Sequence, residues 1–247
     1  MKLTLIALIL LACAILGAQA ADKTGAGTTH SPADSTAVSV ADSVGYRPGD
    51  RELLLWPTAT TLPKGHFSYT NYYIFMHDLT LSPMNKLEVG VVFIPSGMNI
   101  WTGQIYYHPP SVHVKWHFYS RKKIDIAAYT MWSSGLKSLL ISSIFSYDAE
   151  SLRLYFSPAL AYTGFDGKAL NILYHGGVSY RPWKHFSFMV EYLSANAWDE
   201  VDLAGGLMYG WRWNGKYAQI DLGAIQRNAT DFGDLSPILK FSWTLKP

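Results

Sequence analysis

Cysteine is almost missing from the chain, with one residue in 247, Cys13. It lies in MKLTLIALILLACAILGAQA, which combines a basic Lys2, an apolar core and a small-residue Ala18-Gln19-Ala20 site. This pattern is typical of a secretory signal peptide, with a lipoprotein signal at Cys13 as the alternative. We therefore expect residues 1–20 to be removed before folding, which excludes disulfides, thiol catalysis and cysteine-type zinc sites from the mature chain.

Charge is scarce as well, at 15% of residues, whereas about 25% is usual in soluble domains. The formal net charge is +2, and no basic run is longer than Arg121-Lys122-Lys123. A nucleic-acid partner is therefore not expected, because nucleic-acid binding needs a concentrated basic surface.

Long apolar runs are the third absence. Beyond the signal peptide, no segment has 18 consecutive uncharged apolar residues, which excludes a transmembrane helix. Residues 21–50 are rich in Ala, Ser, Thr, Gly and Asp and are expected to form a disordered periplasmic linker. A short lead-in follows at residues 51–65, with an apolar core at Leu53–Trp56.

Alternation is what the rest of the chain offers in place of helical periodicity. In VHVKWHFY, residues 112–119, apolar side chains alternate with His113, Lys115 and His117. LKFSWTL, residues 239–245, repeats the pattern near the end. Such segments predict β-strands with one apolar and one polar face.

Short and long turns alternate between these segments, as they do in outer-membrane barrels. The short turns are predicted near residues 82–86, 121–123, 148–151, 181–185 and 214–216, and the longer links near 96–111, 133–137, 163–168, 195–200 and 227–234. We predict an all-β fold, an antiparallel transmembrane β-barrel of about 12 strands (10–14) over residues 66–247. An even strand count requires a further hairpin, which we place at Met76-His77-Asp78.

Aromatic residues decide which way the apolar face points. They make up 15% of the chain and gather near the predicted strand ends, as in the two interfacial girdles of membrane barrels. The expected girdle residues are Phe67, Trp132, Tyr162, Trp183, Tyr192, Trp211 and Trp243. Outer-membrane lipid is then the expected partner, with the barrel-assembly machinery during insertion. A secreted soluble lipid-binding β-barrel remains the alternative.

Two stretches also carry a resemblance to a known family. PTATTLPKGHFSYTNYYIF (residues 57–75) and KLEVGVVFIP (residues 86–95) resemble uncharacterised bacterial outer-membrane β-barrel proteins. Ser82-Pro83-Met84-Asn85 departs from the Gly-x-Thr-Asp turn expected in those proteins. The resemblance implies a barrel in the outer membrane and assigns no activity to any residue.

The polar faces predict an inner wall carrying both signs of charge. Its candidate lumen-facing residues are His66, Glu88, His113, Lys115, His117, Asp125, Arg153, Asn171, His175, Arg181, Glu191, Asp202, Arg212, Gln219, Asp221 and Lys240. They line either a passive pore for small solutes or a filled, structural barrel. We hypothesise that Leu53–Trp56 enters the barrel from the periplasmic side and narrows it.

Two His-x-Ser pairs raise an enzymatic alternative. His66 with Ser68, and His185 with Ser187, offer a base and a nucleophile, as an outer-membrane phospholipase would need. Such a dyad has to face lipid, whereas both pairs fall on the polar faces of their strands. We therefore predict no catalytic residue.

Metal binding is the remaining possibility on the inner wall. His113 and His117 share a polar face with Lys115 between them, and an ammonium group repels a metal cation. No metal site or cofactor is expected.

Overall fold

The computed structural model describes residues 48–73, 76–98, 105–134, 137–149, 151–164, 169–196, 206–226 and 235–245. The predicted signal peptide, most of the predicted linker and Asp202 lie outside these residues. Among the described residues, no helix is long and apolar enough to cross a membrane.

Twelve antiparallel strands form one closed barrel, in which each strand pairs with its neighbours in the chain and β1 pairs with β12. The strands are β1 (Phe67–Tyr72), β2 (Met76–Met84), β3 (Leu87–Met98), β4 (Ile105–Arg121), β5 (Ile124–Ser133), β6 (Ser138–Ala149), β7 (Leu152–Thr163), β8 (Ala169–Trp183), β9 (Phe186–Asn196), β10 (Gly206–Asn214), β11 (Ala218–Gln226) and β12 (Leu235–Leu245). The predicted fold class and strand number are confirmed.

Side-chain alternation sets the two walls of this barrel. In β9, Ser187, Met189 and Glu191 are buried inside, whereas Phe188 and Val190 are exposed outside. The period of two along each strand produces this split, because successive side chains point to opposite faces of a sheet. The inner wall of the barrel is therefore polar and its outer wall is apolar.

Strand ends are where the predictions were wrong. The turn of the β1–β2 hairpin begins at Tyr73, which has a φ of 55°, and the predicted turn residues Met76, His77 and Asp78 belong to β2. Strand β4 begins at Ile105, inside the predicted link 96–111, and it includes Pro109 and Pro110. The β3–β4 register shifts between Val92 and Ile94. Proline is tolerated at such an irregularity because a ladder hydrogen bond is already missing there.

Strand β10 is described from Gly206. The alternation predicts a strand from Val201, but residues 201–205 lie outside the described part of the chain. The short-turn predictions agree in position with the structure, since each spans the junction of the two strands expected to flank it, although its first residues belong to the preceding strand.

Candidate functional site: the barrel lumen and its plug

Residues 50–62, called the plug below, fold into the lumen as a small hairpin. The Leu53 amide donates to the Trp56 carbonyl at 2.8 Å, and the Thr58 amide donates to the Arg51 carbonyl at 2.9 Å. Asp50 pairs with Arg153 near the start of β7, beside the short turns. Ala59, on the return limb, donates to Ser146 near the end of β6, again at the short-turn end. The plug therefore enters and leaves the lumen at the short-turn end.

The tip of the plug is apolar and packs against one half of the barrel. Leu53 is 1% exposed and Leu54 is fully buried. Their cluster includes inward side chains of four strands, namely Tyr155, Met189, Met208 and Ile238. A Cβ built on Gly177 would lie 2.5 Å from Leu53 Cδ1, so glycine is what makes room for the tip on β8. This contact removes apolar surface from water and favours the docked plug.

Charged side chains of β9 to β12 bind the backbone of the plug tip. Arg212 donates to the Glu52 carbonyl at 2.7 Å and to the Leu53 carbonyl at 2.8 Å. Lys240 also donates to the Leu53 carbonyl, and the Leu54 amide donates to Glu191. Hydrogen bonds of this charge-assisted kind are stronger than neutral ones.

The same cations are held by a buried carboxylate. Asp221 lies 2.8 Å from Arg212 and 3.0 Å from Lys240, and none of the three is appreciably exposed. Breaking such a network would leave a buried charge without its partner, which is strongly unfavourable. These ion pairs within the wall therefore hold the two cations that contact the plug tip.

A second set of ion pairs holds the limbs of the plug against β2 to β4. Arg51 pairs with Asp78 at 2.9 Å, and Asp78 also accepts from His113 at 2.9 Å. Lys115 pairs with Glu88 at 2.9 Å and donates to the Thr60 carbonyl at 2.6 Å. Glu88 in turn accepts from the Leu62 amide at 2.6 Å.

Glu52 is the buried carboxylate of the plug itself. It accepts hydrogen bonds from Tyr72 and from Thr70, the latter at 3.3 Å, and lies 3.8 Å from Lys240. Burial alone would raise the pKa of Glu52, but Lys240, Arg51 and the Tyr72 hydroxyl outweigh burial and lower the pKa from 4.5 to about 2. Glu52 is thus ionised at neutral pH, and its charge favours docking.

The structure describes fifteen of the sixteen candidate lumen residues. Ten are buried on the inner wall: Glu88, His113, Lys115, Asn171, His175, Glu191, Arg212, Gln219, Asp221 and Lys240. Five are half-buried near the short-turn end: His66, His117, Asp125, Arg153 and Arg181. His66 precedes β1 and so does not belong to a strand. Many of these side chains contact the plug or the residues that hold it.

The candidate girdle aromatics lie on the outer wall. Five of them are largely exposed, with Trp183 at 63%: Trp132, Trp183, Tyr192, Trp211 and Trp243. Phe67 and Tyr162 are half-buried at the first position of β1 and near the end of β7.

Neither His-x-Ser pair forms a lipid-facing dyad. Ser68 and Ser187 are buried on the inner wall, whereas His66 and His185 lie outside the strands. The His66 ring donates to the Lys64 carbonyl at 3.3 Å, and the His185 ring donates to the Asn214 carbonyl at 2.8 Å.

Two histidines of β4, His113 and His117, have carboxylate partners, the first on β2 and the second on β5. His113 contacts Asp78, and His117 contacts Asp125 at 3.1 Å. Within the described residues, no group of three or more His, Cys, Asp or Glu side chains is arranged to hold a metal ion.

Three important residues were not predicted from the sequence: Arg51, Glu52 and Asp78. Arg51 and Glu52 belong to the lead-in, of which only the apolar Leu53–Trp56 was predicted to enter the barrel. Asp78 was predicted to lie in a turn. The usable signal was a charged pair directly before an apolar run, because buried charges need partners that the inner wall can supply.

Comparison with known proteins gives structural neighbours only. No family model matches the chain, and no curated protein matches it. Among solved structures, the chain is similar to "KdgM porin", at 7% identity and a TM-score of 0.48, with 72% of this chain and 96% of that chain covered. It is also similar to "KdgM porin in complex with disordered oligogalacturonate", at 7% identity and a TM-score of 0.46, with 72% and 95% covered.

Proposed function

We propose that the protein is a bacterial outer-membrane barrel that acts as a gated, porin-like channel for small solutes, with the plug as its gate. The outer wall supports the membrane location. It exposes large apolar side chains such as Phe156, Val190 and Leu222 on a closed ring of strands. An apolar band on a barrel without edges suits lipid, because every strand is already hydrogen-bonded within the ring.

The proposal that the plug is a gate rests on how the plug is attached to the wall. Within the described residues, barrel strands pair with one another, and the isolated bridge Glu52–Pro57 is internal to the plug. Side chains of the wall donate hydrogen bonds to the plug, as at Arg212, Lys240 and Lys115. Undocking would therefore leave the strand ladders intact, so the plug can leave as a unit while the barrel persists.

A reversible cross-link between plug and wall tests this proposal. In the double variant Leu53→Cys/Gly177→Cys, the clash between a Cβ at residue 177 and Leu53 Cδ1 disappears with the leucine side chain. The only native cysteine, Cys13, lies in the predicted signal peptide. Planar-bilayer recordings would compare the oxidised and reduced forms, and Leu53→Cys alone would control for the oxidant.

The expected result is a barrel that is closed when oxidised and shows conductance steps after reduction, under voltage or mild acid. Equal conductance in both forms would overturn gating by the plug. Silence of the wild type and of the reduced variant, with folded protein, would instead favour the structural, permanently filled barrel.

A further inference from the structure

The plug fills the lumen unevenly and leaves a cavity of about 190 Å³ over one half of the barrel. Leu53 and Leu54 lean onto β7 to β12, whereas the wall residues of the cavity belong to β1 to β6. We call this cavity the cup. Several of its wall residues lie near the barrel end opposite the short turns, such as Tyr72, Met76, Met131 and Leu140.

Apolar side chains form most of the cup. Leu55 and Trp56 of the plug form one side, and Val92, Met131 and Leu140 are among the residues opposite. Methionine adapts its shape to a bound ring and makes favourable sulfur–aromatic contacts. An apolar cavity of ~150 Å³ is known to hold one benzene molecule, so the cup is of a size for one substituted ring.

The charged groups that border the cup are already matched. Asp78 pairs with Arg51, Glu88 pairs with Lys115, and Glu52 accepts from Tyr72. A charged ligand would gain no counter-ion here without breaking one of these pairs, and it would lose its hydration. The cup therefore favours a neutral molecule.

Tyr129 supplies one polar handle. Its side chain lines the cup and is 9% exposed, and the buried Nδ1 atom of His113, which also borders the cup, has no hydrogen-bond partner within the described part of the chain. A buried tyrosine hydroxyl usually finds a partner, because it can both donate and accept. A ligand hydroxyl is a group that would satisfy it.

We infer that the cup binds a small neutral aromatic molecule with one hydroxyl, of the phenol class. This inference rests on the proposed function, since it places the site in the lumen of the same gated barrel. Outer-membrane barrels carry their long loops on the outer side, so the cup would meet such a molecule from outside the cell.

Binding of 4-fluorophenol, followed by fluorine NMR with the full mature protein in lipid nanodiscs, tests the inference. Empty nanodiscs correct for partition into lipid. Leu140→Trp fills the cup and is expected to abolish saturable binding, and Met131→Trp is a second filling variant if the first fails to fold. Leu139→Trp is the matched control, because Leu139 is the adjacent residue of β6 and points to the outer wall.

Tyr129→Phe tests the polar handle separately. Loss of one hydrogen bond is expected to weaken 4-fluorophenol binding about three- to tenfold and to leave fluorobenzene binding unchanged. The anion 4-fluorobenzoate is expected not to bind.

Three results would overturn the inference: no saturable binding to the wild type, undiminished binding to both filling variants, or equal binding of the anion. If 4-fluorophenol binds Tyr129→Phe as tightly as the wild type, the inferred ligand class would no longer require a hydroxyl group. Conductance is not part of this measurement. A barrel that never conducts but binds 4-fluorophenol would refute the gate and support the binding site. A barrel that conducts but does not bind 4-fluorophenol would support the gate and refute the binding site.

Discussion

Glu52 is the residue on which the plug contacts of β1 and β12 converge. Thr70 and Tyr72 of β1 and Ser242 of β12 all lie within hydrogen-bond distance of its carboxylate. Lys240 and Arg51 add positive charge, and the pKa of Glu52 falls to about 2 as a result. The protonation state of this one side chain therefore affects how firmly the plug is held.

Acid is expected to loosen the plug through Glu52. A carboxylate whose pKa is lowered on docking stabilises the docked state fully above its ordinary pKa of 4.5, and this contribution is lost as the pH falls towards about 2. A nitroxide on Thr60→Cys should become more mobile across that pH window, as measured by electron paramagnetic resonance.

Glu52→Gln is the control for this acid effect. The neutral amide cannot titrate, so the label should already be more mobile at neutral pH, and the part of the transition due to Glu52 should vanish. An unchanged acid transition in Glu52→Gln would show that Glu52 does not cause it, and would refute the prediction.

At the scale of the element, neighbouring glycines of β8 allow a matched test of the docked hairpin. The Cβ of an alanine at Gly177 would lie 2.5 Å from Leu53 Cδ1, whereas at Gly176 the nearest atom would be the Tyr155 carbonyl oxygen at 3.8 Å. Gly177→Ala should therefore weaken docking by about 1–3 kcal/mol, a typical cost of overpacking. Gly176→Ala should leave docking unchanged.

The same nitroxide at position 60 would report this difference at neutral pH. A mobile fraction in Gly177→Ala, with none in Gly176→Ala, is the expected outcome. Equal spectra for both variants would mean that the tip tolerates the added methyl group, and that Gly177 is not required for docking.

Strands were predictable from the sequence because each must keep one apolar and one polar face over its whole length. The path of residues 50–62 was not predictable in the same way, since a short irregular segment has no period to follow. Its position depends on pairings such as Arg51 with Asp78, which are 27 residues apart and meet only after the barrel closes. The Pro109-Pro110 pair of β4 was predicted to lie in a loop, but the strand continues past it, because His108 and Ser111 on either side pair with β3.

At the scale of the whole molecule, the outer wall should tolerate charge according to depth. Val190 is 46% exposed in β9, away from both strand ends, whereas Met84 is exposed at the last position of β2. In lipid vesicles, Val190→Arg should lower the free energy of unfolding by ~2–4 kcal/mol and Met84→Arg by only ~0–1 kcal/mol. Urea titrations would measure both.

A soluble barrel would give a different result in that experiment. An arginine at either exposed position would then face water, and both variants would unfold at nearly the wild-type urea concentration. Such an outcome would contradict the membrane location while leaving the closed barrel intact.

The contacts of Glu52 also bear on how the barrel assembles. Strands β1 and β12 pair edge to edge although they lie at opposite ends of the barrel sequence, so theirs is the strand pairing with the largest sequence separation in the barrel. Glu52 bonds to Thr70 on one of these edges and is within reach of Ser242 on the other. A docked plug therefore contacts both strands of the β1–β12 junction, so its docking favours the closed ring of strands over an open sheet.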